Sequence, residues 1–360
     1  MDEFLAIVSS CSKPAETMAS WKLTARFLVA DEMPRWRKMS ERCSWRSVCS
    51  LPLWLEIWPS EWGILRAVGI FSGEELMGGL YLTQRRRWGQ FVLETHPMIP
   101  YTGFWLSEPE GALISKLESF RSSALSTLDL FIRQNASKGV LRLEPDVYDL
   151  RILMHAGWEV WPQYTYQSDL QVLDEGEKAF ENDLRRQISA ARDQGITVSE
   201  SSDWTVLESL IGQMQQRKGM DESYPPGFLA RLGEALAREN TGTLFVAQNA
   251  QSKILAAALV GWVDARAIYL YGGSDESAMG TGAPSLLHSE ILHWLRNHAK
   301  STYDWYGANV VSVSRFKKNF NPQLIPYFVA RSNNSLLGQV AHALHDAFGQ
   351  WKRSGSGNEQ

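Results

Sequence analysis

The sequence predicts a mixed α+β protein of two similar units, each a mostly antiparallel sheet with one splayed parallel strand pair, flanked by helices. Three observations carry this. In each half, short strands separated by tight polar turns read as an antiparallel meander. Each meander leads through an amphipathic helix to another strand, a crossover that makes the two flanking strands parallel. The same order (meander, long helix, strand, short helix, strand) runs from about Ile64 to Leu170 and again from Thr243 to Ala330.

Before the first meander, Trp21, Phe27, Leu28 and Val29 suit an edge strand, and Leu51 to Trp58 has helical spacing with Pro52 near its start. Leu65–Phe71, Leu76–Leu82 and Trp88–Leu93 are then three strands, with Ser72-Gly73-Glu74 and Arg85-Arg86-Arg87 as turns. Leu113, Leu117, Phe120, Ala124 and Leu128 recur as one helical face, which Gly139 is expected to end as a left-handed cap. Val140–Leu143, Asp149–His155 and Trp158–Leu170 follow as strand, short helix and strand.

The second half opens with an amphipathic helix over Lys178–Arg192, capped by Gly195, and a strand from Ile196. Asp203 N-caps the next helix, and Pro225-Pro226 opens another through Phe228, Leu232 and Leu236. Three strands at Thr243–Gln248, Ile254–Val263 and Ala267–Tyr271 form the second meander, and Gly272-Gly273 is expected to stop the last. Pro284 suits the first turn of a helix with Leu287, Ile291 and Leu295 on one stripe. Tyr303–Tyr306 is a strand, Ser312–Phe320 a short basic helix and Leu324–Ala330 the last strand. This divides the chain into residues 1–170, 171–332 and a tail, 333–360, with a further helix through Leu336, Val340, Leu344 and Phe348.

Composition is that of a soluble globular protein: 360 residues, 44% hydrophobic, 21% charged. A net charge of −4 argues against wholesale nucleic-acid binding and leaves room for local basic patches. Cys11, Cys43 and Cys49 show neither metal-ligand spacing nor even pairing. The N-terminal apolar run is too short for a signal peptide, and Ile254–Trp262 is strand-sized. A reduced, cytoplasmic protein without membrane insertion is expected. His288, His293 and His298 rotate around their helix instead of sharing a face, so no metal is expected. There is no P-loop, no dinucleotide fingerprint and no nucleophile elbow.

The order of elements is similar to that of a GNAT-superfamily acyltransferase, and two such units resemble the Fem family, the tRNA-dependent peptidoglycan bridge-forming aminoacyltransferases. The residues that carry the resemblance are Tyr269-Leu270-Tyr271-Gly272-Gly273-Ser274, Ala283-Pro284 with Leu286-Leu287 and Glu290, Tyr303-Asp304 with Gly307, Phe316-Lys317 with Phe320, and Pro326-Tyr327. The coiled-coil insertion of some members is missing, and Asn321-Pro322 stands where a glycine pair often follows the basic helix.

The resemblance implies that Lys317 stabilises a developing oxyanion, that Phe316 packs near the donor's 3′ end, and that Arg217 and Tyr271, with Tyr269, hold the acceptor. Spacing alone reads Lys317 as a solvated lysine, Arg217 as a helix C-terminal cation, and the tyrosines as strand formers. Gly280 and Gly282 match part of the loop with which coenzyme A-dependent GNAT enzymes hold a pyrophosphate, with Ser277 in place of its Gln or Arg.

Three functions follow. The first is aminoacyl transfer from aminoacyl-tRNA, bound through its acceptor end, to a peptidoglycan-precursor or peptide-like amine. The second is N-acylation from acetyl- or acyl-coenzyme A. The third is a catalytically inactive binding module. No tightly held cofactor is expected. The first unit lacks a glycine loop before its long helix, so it is expected to be non-catalytic and to shape the acceptor cleft.

Overall fold

The computed structural model describes residues 21–43, 46–171, 177–217, 219 and 224–333. The tail helix expected over 336–348 lies outside them. The first half runs β1 (Leu23–Phe27), α1 (Met33–Ser40), α2 (Leu53–Ile57), β2 (Ile64–Ser72), β3 (Glu75–Arg87), β4 (Gln90–Glu94), β5 (Trp105–Leu106), α3 (Ile114–Asn135), β6 (Lys138–Arg142), α4 (Arg151–His155) and β7 (Glu159–Asp169). The second runs α5 (Asn182–Asp193), β8 (Thr197–Ser201), α6 (Thr205–Arg217), α7 (Phe228–Arg238), β9 (Gly242–Gln248), β10 (Ile254–Val263), β11 (Arg266–Ser274), α8 (Ala283–Asn297), β12 (Thr302–Asp304), α9 (Val311–Lys317) and β13 (Gln323–Asn333).

All strands join one sheet in the order β1-β2-β3-β4-β6-β13-β7-β12-β11-β10-β9-β8, with β5 on β3. Pairing is antiparallel except at β4–β6 and β11–β12, one parallel pair in each half. The halves exchange their last strands. β13, from the second half, lies between β6 and β7; β7, from the first, pairs with β12. No backbone edge is left at the junction, so the two units share one continuous ladder.

Three apolar cores follow from which face each strand turns to which helix. One lies under α3, with Phe120, Leu128 and Ile132 against Val68, Leu82 and Leu141. A second lies under α5 and α8, with Leu184, Ile188, Leu287 and Ile291 against Phe245, Ala256 and Tyr303. The third joins the halves: Trp36, Trp54 and Tyr101 share one cluster with Leu207, Phe228, Ile268 and Tyr271. Much of the chain's tryptophan is therefore core.

Local expectations fail where glycine is read as punctuation. Arg85–Arg87 ends β3, and the turn is Trp88-Gly89, both with positive φ, in a two-residue hairpin onto Gln90. Gly139 is not a cap but part of β6, where a Cβ would lie 2.7 Å from Ile132 and 2.9 Å from Trp158. Gly272-Gly273 does not stop β11, which continues to Ser274. A Cβ at Gly272 would overlap the Tyr269 hydroxyl, and one at Gly273 would press on Leu210 and Ile211 of α6 at 3.1 Å. These glycines allow close approach, not chain reversal. The helix expected from Lys178 begins at Asn182.

Candidate active site

β11 and β12 pair only at Arg266–Ile268 with Thr302–Asp304. β11 then carries a bulge: Leu259 faces Tyr271 and Val260 faces Tyr269, leaving Leu270 extra. A bulge bends its strand, and the pairing of β11 with β12 stops at Ile268, before the bulge. Beyond Asp304 the backbone passes Trp305 and makes a left-handed turn at Tyr306 (φ 44) and Gly307 (φ 75). The result is a notch at the carboxyl ends of the parallel pair, the usual ligand position in sheets with such a crossover.

Lys317 fills this notch. It is the last residue of α9, and only 4% of its surface is exposed, so it is not the solvated lysine of the spacing argument. Its Nζ donates to the carbonyls of Trp305, at 2.6 Å, and Tyr306, and lies 5.0 Å from the centre of the Tyr269 ring. An ammonium has three N–H donors, so one remains for a ligand. Burial lowers its pKa to about 8, against the opposing pull of the Asp304 carboxylate.

Around it stand aromatic groups. Phe316 is half-buried, its ring 5.6 Å from His288 and 5.5 Å from Phe320. His288, on α8, touches Tyr269 and Trp305 and has no partner for its buried Nδ1. Burial, then the nearby Lys317 charge, holds its pKa at about 3, so it is neutral. Tyr269, which the sequence ranked below Tyr271, is thus the tyrosine beside Lys317. Tyr271 instead faces the first half, donates to the Met98 carbonyl and packs on Tyr224 and Phe228.

Arg217 donates to the carbonyl of Ser274, the last residue of β11, at 2.8 Å, and is itself exposed. Topology therefore brings Arg217, the Gly280–Gly282 loop and Lys317 to the same end of the parallel pair. Gly280 has φ +77 and open space where a Cβ would stand. Gly282, the N-cap of α8, has φ +76, and a Cβ there would overlap the backbone of Gln187 on α5. Of the first N–H groups of α8, that of Ala283 is taken by the Thr281 hydroxyl at 3.1 Å, and Pro284 has none. Ser277 bonds Asp275, and Lys253 reaches both. Few donors remain for an anion, and packing on α5 alone accounts for Gly282. Gly280→Ala should cost about 1–2 kcal/mol for its left-handed backbone, and Gly282→Ala about 3 kcal/mol once overlap is added, both read by urea denaturation.

Spacing did not reveal that the fold gathers His293 with Glu177 and Glu290, their ligand atoms within 4.8 Å of one another. Arg192 reaches both carboxylates, at 2.6 and 2.8 Å, so the group is an ion-pair hub.

Residues 178–318 match the acetyltransferase (GNAT) domain family. The chain is similar to the crystal structure of FemX, at TM-score 0.63 and 15% identity, over 88% of this chain and 99% of that one. The chain has a Fem-like tandem GNAT fold. A tandem GNAT protein from the clavulanic acid biosynthesis pathway aligns at TM-score 0.53 and 11% identity, over 87% of this chain and 99% of that one. L-PGS from Bacillus licheniformis aligns at 0.51 and 14%, over 75% and 85%. No curated protein matches by sequence. Among the described residues, no helix is long and apolar enough to cross a membrane.

The first half has no lysine at the equivalent position. Asp169 and Asn333 are equivalent, since they pair with the first residues of the two parallel pairs, Thr302 and Lys138. Counted equally far back from these ends, Lys317 corresponds to Leu153, fully buried in the core under α3.

The residue to which sequence reasoning gave no role is Asp304, named there only as part of the Tyr303-Asp304 pair. Its local signal is an acid among buried aromatics, Tyr303-Asp304-Trp305. It is buried and accepts hydrogen bonds from Thr165 at 2.6 Å, Tyr101 at 2.8 Å and the Tyr306 N–H at 2.8 Å. Burial raises its pKa, and these donors oppose the rise.

Proposed function

We propose that the protein transfers an aminoacyl group from aminoacyl-tRNA to an amine of a peptidoglycan precursor or a peptide-like small molecule, forming an amide. The observation that carries this reading is the buried Lys317 ammonium at the splayed strand ends, held by two carbonyls with one N–H left over. In this reading residues 171–332 carry the chemistry, residues 1–170 shape the acceptor cleft, and the reaction takes place in the cytoplasm, where charged tRNA is available.

The amine nitrogen attacks the ester carbonyl carbon, and the carbonyl oxygen becomes an oxyanion that accepts from Lys317. As the tetrahedral intermediate collapses, the C–O bond breaks and the proton shed by the amine ends on the ribose oxygen. Phe316, Tyr269 and His288 keep water from the ester, which strengthens the lysine's field. Arg217, exposed beside the end of β11, holds the acceptor. Scarcity of free donors at the start of α8 weighs against a coenzyme A pyrophosphate there.

The test is comparative binding at fixed moderate salt. A labelled mixture of aminoacyl-tRNAs should bind, more weakly as salt rises, while acetyl-coenzyme A gives no saturable signal. Saturable acetyl-coenzyme A binding that survives Gly282→Ala but is lost with Gly280→Leu would overturn the reading in favour of an acyl-coenzyme A enzyme. Silence from both would favour a binding module.

A further inference from the structure

We infer that Asp304 is a positioning residue for Lys317: its carboxylate pins the left-handed turn whose two carbonyls hold the ammonium. The inference rests on the role just given to Lys317. The connection is continuous. Oδ1 of Asp304 accepts from the Tyr306 N–H at 2.8 Å and from the Thr165 hydroxyl at 2.6 Å. Oδ2 accepts from the Tyr101 hydroxyl at 2.8 Å and from Gln167 at 3.5 Å. Tyr306 is a non-glycine residue with φ 44, a conformation that needs support from its surroundings. Its N–H is fixed by Asp304, and its hydroxyl accepts from Arg142 at 3.2 Å. With the turn fixed at both ends, the Trp305 and Tyr306 carbonyls face one point, and Lys317 Nζ stands there.

Four of these supports, Tyr101, Arg142, Thr165 and Gln167, belong to the first half. Tyr101 lies between β4 and β5, and Thr165 lies on β7, the strand given over by the first half. The first unit, with Leu153 where the second has Lys317, thus sets the aim of the lysine in the second. The groups that face Lys317 are Asp304 and Tyr306 on the β12 side, Tyr269 on β11 and His288 on α8, with Tyr101 and Arg142 behind the turn. His288 is neutral, and burial keeps the Tyr269 hydroxyl protonated. Asp304 is therefore the group that supports the positive charge.

The experiment separates charge from aim. The full chain is labelled with lysine carrying 13C at Cε; the Lys317 signal is identified by its loss in Lys317→Met and titrated, and transfer is measured alongside. The wild-type midpoint should lie at about 8. Asp304→Asn keeps an acceptor for the Tyr306 N–H but removes the charge, and should lower the midpoint by about one unit. Asp304→Glu keeps the charge but displaces the carboxylate, so its midpoint should stay near wild type while kcat falls about 10-fold or more at little-changed KM. A kcat restored by Asp304→Glu would overturn the positioning role and leave only charge. A wild-type midpoint in Asp304→Asn would overturn the link altogether. Should either variant fail to fold by near-UV circular dichroism, Tyr101→Phe and Thr165→Val loosen the carboxylate without removing it. Each should lower kcat about 3- to 10-fold with the midpoint near wild type, and unchanged kcat in both would overturn the inference. The titration needs no transfer, so full activity in Lys317→Met would count against the proposed function while the midpoint shifts still judge the turn.

Discussion

Lys317→Met lowers the transfer rate constant by about 10²- to 10³-fold, the usual cost of one oxyanion donor in a water-poor site. Methionine matches the stem of lysine in length and removes the ammonium, so the notch stays filled. Stability should change little in comparison. The variant no longer buries a charge, but the carbonyls of Trp305 and Tyr306 lose their partner, and the two effects oppose each other. Near-UV circular dichroism and urea denaturation check the fold; single-turnover transfer checks the chemistry. A rate within threefold of wild type would remove Lys317 from the mechanism. Lys317→Arg should not rescue, because a planar guanidinium cannot sit between two carbonyls and leave a donor at the same point.

The same group sets the alkaline limb. The Lys317 ammonium is charged below about pH 8 and neutral above it, so transfer should fall as pH rises through that value. The limb should vanish from the residual activity of Lys317→Met. Stability follows the opposite sign. The folded pKa lies below the ordinary lysine value of 10.5, so between about 8 and 10.5 the unfolded chain binds more protons, and raising the pH favours the folded state.

A chain ending at Pro322 loses cooperative folding in both halves, not only in the second. β13 supplies the antiparallel partner of β6 and of β7 together, and its removal opens the ladder in the middle of the sheet. Ala330 leaves the core under α3, and Tyr327 and Val329 leave the core between the halves. Loss of Tyr327 and Val329 at about 2–3 kcal/mol each, and of the Ala330 methyl at about 1 kcal/mol, would take much of an ordinary domain's stability before any backbone bond is counted. Thermal unfolding by near-UV circular dichroism should show no native transition for the shortened chain. Adding residues 323–360 as a separate peptide should restore part of it. A native first-half signal in the shortened chain, with an unchanged midpoint, would mean that the first unit folds without the borrowed strand.

How legible each feature was depended on how far apart in the chain its causes lie. The unit β11–α8–β12–α9 was readable because each piece is written locally: alternation in Tyr269–Tyr271, Pro284 at a helix start, a stripe at Leu287, Ile291 and Leu295, and aromatics before Gly307. Lys317 could be placed near the cleft on order alone, but not buried. Its burial depends on the Tyr306–Gly307 turn, and that turn depends on Asp304, Thr165 and Tyr101, the last about two hundred residues away in the chain. Local reading failed at Gly139, Gly272 and Gly273 because a glycine that makes room for a neighbour looks the same as one that reverses the chain.

The sequence by itself determined the element types, the doubling of the pattern and the crossover that puts the second notch at the end of β11 and β12. These follow from periodicity and turn chemistry, which act over a few residues. Only the tertiary structure decided that β7 and β13 change places, that Tyr269 and not Tyr271 lies beside Lys317, and that a buried aspartate holds the turn in front of the lysine. Strand pairing and burial are settled by contacts between distant segments, and no local pattern records which distant segment a strand will meet.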